Sequence, residues 1–174
     1  LMTGERGTES RSRFLELAMQ RRPSSSRQRN AMCDANQHIF TNPSSGYRAD
    51  RVAMVEEVSG AAIDDWYNYH IDFTENLEHA ANSKLALCPE GNGMDCHRFY
   101  HNYALGTRCI VREGKLSQLH AQFPGTIVVK SWREVTPENI ANWASQKPPE
   151  HDPKLLTARY WIDTALQKAG LAGI

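Results

Sequence analysis

The chain has 174 residues, 40% of them hydrophobic and 23% charged, with twenty Lys and Arg against twenty Asp and Glu. That is one domain's worth of chain with enough apolar residues for a core, and no net charge pulling the whole toward nucleic acid or membrane. No apolar run reaches the ~18 residues of a membrane-spanning helix and no signal-peptide pattern opens the chain, which excludes a span, as composition excludes a collagen-like repeat or a wholly disordered tail.

Residues 8–20 read as a helix, with Phe14, Leu15 and Met19 along one edge and Thr8 or Ser10 as cap. The run RRPSSSRQRN, Arg21 to Asn30, is a breaker-rich basic linker, so residues 1–30 form an N-terminal helix and linker and 31–174 a single domain. Gln37 to Thr41 reads as a short strand closed by the turn Asn42-Pro43-Ser44-Ser45-Gly46. Asp50 then caps a helix carrying Val52, Val55 and Val58, which Gly60 stops. Trp66 to Ile71 suits a strand, a polar loop follows, and Lys84 to Cys88 suits a second strand.

After the turn Pro89-Glu90-Gly91-Asn92-Gly93, residues 95–105 read as a helix. Arg108 to Arg112 and Thr126 to Ser131 are strands. Thr136-Pro137 opens a helix holding Ile140 and Trp143, and Asp152-Pro153 opens a last one whose Leu155, Ile162, Leu166 and Ala169 share a face. The expected class is α+β: a strand–loop–strand–helix unit among helices and a short antiparallel sheet.

Charge is uneven. Residues 1–30 carry seven arginines against three glutamates, residues 50–79 eight acids against Arg51, and residues 80–174 eleven bases against eight acids. An acidic stretch leading into a His-rich, mildly basic one can prepare a cation site beside an anionic substrate; solvated faces give the same pattern. The four cysteines, Cys33, Cys88, Cys96 and Cys109, form no C-x-x-C, and the three possible pairings and free thiols all stay open.

The chemistry-bearing residues concentrate in 66–105. His97 and His101 are four apart, hence stacked on one helix face, where two imidazoles can bind a divalent metal. His70 ends the first strand of the expected hairpin, and Asn82, at the start of the second, is placed to hold it. The order His70-Ile71, Asn82, Leu87-Cys88-Pro89, Cys96-His97 and His101 resembles the His-Me finger (ββα-metal) nucleases, in particular the HNH branch. The resemblance implies a metal-dependent endonuclease, acting on DNA sooner than RNA and without strong sequence preference. His70 would be the general base, Asn82 its orienting partner, and His97 a catalytic ligand. His97, His101 and Asp72 would hold Mg²⁺, Mn²⁺, Ni²⁺ or Zn²⁺. Arg98 and Lys84, with Arg108, Arg112 and the basic linker, would contact phosphates.

A start at Leu1 rather than Met fits a piece of a longer protein, and by analogy a toxin or effector nuclease held in check by an inhibitor or immunity protein. Two rivals stand beside it. Asp95-Cys96-His97-Arg98-Phe99 resembles the Asp-Cys-Ser-x-Phe start of papain-like peptidases and amidases, which makes Cys96 an alternative nucleophile with His120 or His151 as its base. Cys88, Cys96, His97 and His101 can also form a structural zinc knuckle without catalysis. The segment from Gly4 to Arg13 is similar to one of the phosphoadenosine-phosphosulfate reductases, whose serine–glycine pyrophosphate loop has no counterpart here.

Overall fold

The computed structural model describes residues 5–20, 24–34, 48–58, 63–67, 71–91 and 93–170. Helix α1 (Glu5–Gln20) leads through a single 3-10 turn (Ser24–Ser26) into strand β1 (Arg29–Asp34). Then come α2 (Arg48–Glu57), β2 (Asp65–Tyr67), α3 (Phe73–Asn82), β3 (Ser83–Leu87), α4 (His97–Ala104) and β4 (Arg108–Arg112). The one-turn α5 (Ser117–His120), β5 (Ile127–Val129), α6 (Pro137–Ser145) and α7 (Ala158–Lys168) complete the order, with 3-10 turns before α6 and α7.

The five strands form one sheet in the order β2-β1-β3-β4-β5, and every pairing is parallel. The fold is therefore α/β, which corrects the α+β expectation with its antiparallel sheet. The two strands expected to pair as a hairpin, β2 and β3, are not neighbours: β1 lies between them, and α3 joins them. A parallel pair needs a crossover, and the supposed polar loop supplies it as a helix. Its start was written in the sequence: the Asp72 carboxylate accepts a hydrogen bond from the Glu75 N–H at 2.8 Å and caps α3.

Alternation along each strand sends side chains to two cores. Ala31, Cys33, Leu85, Leu87, Ile110 and Val129 meet Met54 of α2, Val58 just after it, Trp132, and Ile140 and Ala144 of α6 on one face. Met32, Ala86, Cys88, Cys109 and Val111 meet Leu17, Leu77, Phe99, Tyr103, Phe123 and Leu155 on the other. Burial on both faces is what a parallel sheet requires. Arg27, buried under the amino ends of the strands, donates to the carbonyls of Ser83 and Leu105 and to the Thr107 hydroxyl, closing that end.

The winding has one reversal. From β1 the chain moves outward to β2 through α2 on the first face; it then recrosses to β3 through α3 and proceeds to β4 and β5 over the second face. Right-handed crossovers force the helices following β1 and β3 onto opposite faces, so a crevice opens between them at the carboxyl edge of the sheet. Ligands of open α/β sheets bind at such a point.

The remaining expectations divide. The helices at α1, α2, α4 and α6 and the strands at β3, β4 and β5 stand close to their expected ranges. The strand expected at Gln37 to Thr41 lies outside the described residues, as does Gly60. The basic linker is in part β1, and the last helix is broken into a 3-10 turn and α7, with Thr157 capping α7. No described helix is long and apolar enough to cross a membrane.

Candidate anion-binding site at the carboxyl edge of the sheet

The segment between β3 and α4 is the wall of the crevice. Pairing of β3 with β4 continues through Cys88, whose N–H donates to the Ile110 carbonyl at 2.8 Å; the chain then turns through Pro89, Glu90 and Gly91. The Gly91 N–H donates to the Gly93 carbonyl at 2.9 Å. A Cβ on Gly91 would stand 3.3 Å from the Cys96 sulfur, whereas one on Gly93 would meet nothing within 4 Å. The first glycine lets the loop close on itself; the second leaves a bare stretch of backbone open to whatever approaches.

Asp50, in the first turn of α2 and 2% exposed, holds this wall in place. Its carboxylate accepts from the Glu90 N–H at 2.9 Å, from Trp132 Nε1 at 2.8 Å and from Arg112 Nε at 2.6 Å. Beside it, Arg51 is 1% exposed and donates from Nε to the Glu90 carbonyl at 2.6 Å. Two successive residues of α2 thus clamp both backbone groups of Glu90.

Across the crevice, α4 begins at Cys96 with no side-chain cap and no acidic residue in its first turn; His97 and Arg98 stand there instead. Cations at a helix start oppose the helix dipole, which favours anions. The same holds for Arg51 at the start of α2, and the two guanidiniums feel each other. Burial first, and the like charge of Arg98 second, lower the pKa of Arg51, with Cys96 and Asp50 working the other way. Arginine stays protonated under such pressure. Two helix starts, each with a guanidinium in its first turn, thus flank the glycine-bearing loop, groups of the kind that stabilise an anion such as a phosphate.

Below the loop lies a small recess of about 20 Å³, lined among others by Glu90, Cys96, Phe99, Arg112, Ser117 and His120. The His120 ring packs on Phe99, centroids 4.5 Å apart, and its Nε2 is buried without a hydrogen-bond partner among the described residues. Burial lowers the pKa of this imidazole, against a weaker pull from Asp95, so it is neutral at pH 7. Cys88 accepts from Asn102 Nδ2 at 3.2 Å; hydrogen bonding from Cys109 pulls this thiol below its usual range despite burial, and burial pushes Cys109 up.

Only some of the expected site residues meet here. His97 and His101 do stand together, ring centroids 5.2 Å apart, but His101 is packed against Phe14 of α1 and Phe73 of α3, away from the recess. Asp72 is occupied as the cap of α3. Asn82 closes α3 and donates to Gln28 Oε1 at 3.4 Å, while Lys84 donates to Asn30 Oδ1 at 3.3 Å. Both sit at the amino end of β3, separated from Arg98 by the length of that strand, about 15 Å. His70 lies outside the described residues. Among the described residues no group of three or more His, Cys, Asp and Glu side chains is arranged to hold a metal ion. All four cysteines are free thiols, buried in the described structure.

Cys96 does stand where a helix opens, as expected, and of its two candidate partners His120 lines the same recess while His151 stacks on Tyr103 at 4.1 Å. Arg112 reaches the site; Arg108 does not, since it is buried and donates to the Trp143 carbonyl. Sequence reasoning missed Arg51 and the anchoring role of Asp50. The signal was the glycine pair at 91 and 93, read only as a turn: a glycine-rich turn leaving a strand and entering a helix is the layout of a phosphate-binding loop. Comparison with known protein families and with curated proteins finds no match for this sequence.

Proposed function

We propose that this chain is a nucleotide-binding α/β unit that holds the phosphates of its ligand in the crevice between α2 and α4, as the donor site of a group-transfer enzyme. The observation that carries the reading is the placement of Arg51 and Arg98 in the first turns of two helices at the reversal point of a parallel sheet. The loop from Cys88 to Cys96 offers backbone to the phosphates, Arg98 a guanidinium able to grip two oxygens, and Arg51 a buried positive charge behind them.

The nuclease expectation, with its divalent metal, nucleic-acid substrate and inhibitor protein, keeps the His97–His101 pair and Arg98. It loses the hairpin that was to aim His70 at α4. What supports that reading after the loss of the hairpin is the His97–His101 pair alone, and the crevice geometry supports the nucleotide reading better.

The test is calorimetry and thermal denaturation of the whole chain with pyrophosphate, ADP, UDP, GDP, NAD⁺ and nucleotide-linked sugars, in the presence of EDTA. At least one nucleotide is expected to raise the Tm, with Arg98→Ala weakening its binding by about ten- to a hundredfold. If no phosphate-bearing compound in that panel raises the Tm, the reading is wrong.

A second reading has one observation in its favour: Cys96 and His120 share a recess. A thiol hydrolase built on them is expected to lose all amidase or peptidase activity in Cys96→Ser and after iodoacetamide, and to be indifferent to EDTA. The nucleotide reading expects Cys96→Ser to change ligand affinity by less than about threefold in the same calorimetric titration, because the sulfur packs under Gly91 and donates to no anion.

A further inference from the structure

We propose that His120 is a specificity-determining residue of this site, its Nε2 hydrogen-bonding a hydroxyl carried close to the phosphates of the ligand; the inference rests on the nucleotide reading and names the second group which that ligand must present. The imidazole is placed by its backbone, not by a polar partner. Its N–H donates to the Leu116 carbonyl at 2.9 Å, and its carbonyl accepts from the Phe123 N–H at 3.0 Å, so the one-turn helix α5 fixes the residue at the recess wall. The ring face rests on Phe99.

Around it, Ser117, Asp50 and Arg112 are engaged. The Ser117 hydroxyl accepts from the Gly114 N–H at 2.7 Å, and the Asp50 carboxylate is shared among Trp132, Arg112 and Glu90. Of the recess-lining side chains, His120 is the one with a fully buried polar atom that has no hydrogen-bond partner among the described residues. Folds rarely leave such an atom unmatched, and a Phe or Leu here would fill the space against Phe99 without the penalty. A nitrogen kept at that expense, beside a cationic corner and under an open glycine backbone, fits a ligand that supplies the missing partner. A neutral imidazole accepts from or donates to a hydroxyl; it offers nothing specific to bare phosphate.

The experiment compares wild type with His120→Phe and His120→Gln by calorimetry against pyrophosphate and against the nucleotide or nucleotide sugar that wild type binds best, with Tm measured alongside. His120→Phe is expected to keep or raise the Tm, bind pyrophosphate as wild type does, and bind the hydroxyl-bearing ligand at least tenfold more weakly; His120→Gln, which keeps a hydrogen-bonding terminus, recovers part of the loss. Three results overturn the inference: a fall in Tm of more than about 3 °C in His120→Phe, which makes the residue structural; equal losses for pyrophosphate and the nucleotide; or no loss for either. Failure of wild type to bind pyrophosphate and every nucleotide overturns the underlying site as well, and so is told apart from failure of His120 alone.

Discussion

His101 shows how one side chain can look like a ligand and be something else. The i, i+4 spacing with His97 is real, but the ring is wedged between Phe14 and Phe73, and burial first, then the neighbouring His97 and Arg98, push its pKa down to about 4 from 6.5. The native state therefore binds fewer protons than the unfolded chain between those values. Its contribution to stability is complete above pH 6.5 and is lost as pH falls toward 4. The expected loss from this group is on the order of 1–2 kcal/mol after allowance for solvent screening. Urea midpoints at pH 7 and pH 4.5 check it: wild type should drop, and His101→Phe, which keeps a ring between the two phenylalanines, should drop less. An equal fall in both would place the acid sensitivity elsewhere, for instance at His97 or His79, which burial also holds below their usual pKa. At this scale the sequence revealed the adjacency of two imidazoles but not their surroundings, because Phe14 and Phe73 come from two other helices.

Among the elements, legibility followed local signals. Helix α6, with Thr136 as cap and Pro137 in its first turn, and strand β4, a run of Cys109, Ile110 and Val111, announce themselves within a few residues. Helix α3 was obscured because its ten residues include only Phe73, Leu77, Ala80 and Ala81 as apolar positions, and they cover one narrow face. Reading it as a loop turned a strand–helix–strand crossover into a hairpin, and a parallel sheet into an antiparallel one. Strand β1 was hidden behind the breaker-rich run before it. The turn into β5 hides a different dependence. Gly125 has φ +88°, and a Cβ there would lie 3.0 Å from Arg108 Cδ and 3.1 Å from Pro149 Cγ. Gly125→Ala is expected to destabilise the fold by about 1–3 kcal/mol, from backbone strain and from displacing the buried Arg108. A denaturant titration reads this directly; a change below about 0.5 kcal/mol would show that the turn relaxes without strain.

For the whole molecule, the strand order could not be read from the sequence, since it depends on which strands meet across long separations, and it is the order that creates the crevice. Once the order is known, the helix starts that carry Arg51 and Arg98, forty-seven positions apart in the chain, fall at the same sheet edge. Ligand binding there should act on global stability: a nucleotide at a hundred times its Kd adds about 2.7 kcal/mol, several degrees in Tm for a chain of this length, and added salt should shrink the gain by weakening the phosphate contacts.

The two outermost strands of the sheet, β2 and β5, are each three residues long. A foreign extended peptide laid along either margin would find too few backbone donors and acceptors for a lasting zipper, and the longer, more apolar strands are enclosed between neighbours on both sides. Among the described residues, the brevity of those margins is thus a safeguard against fibrous self-association, achieved without a proline or a lysine in either strand.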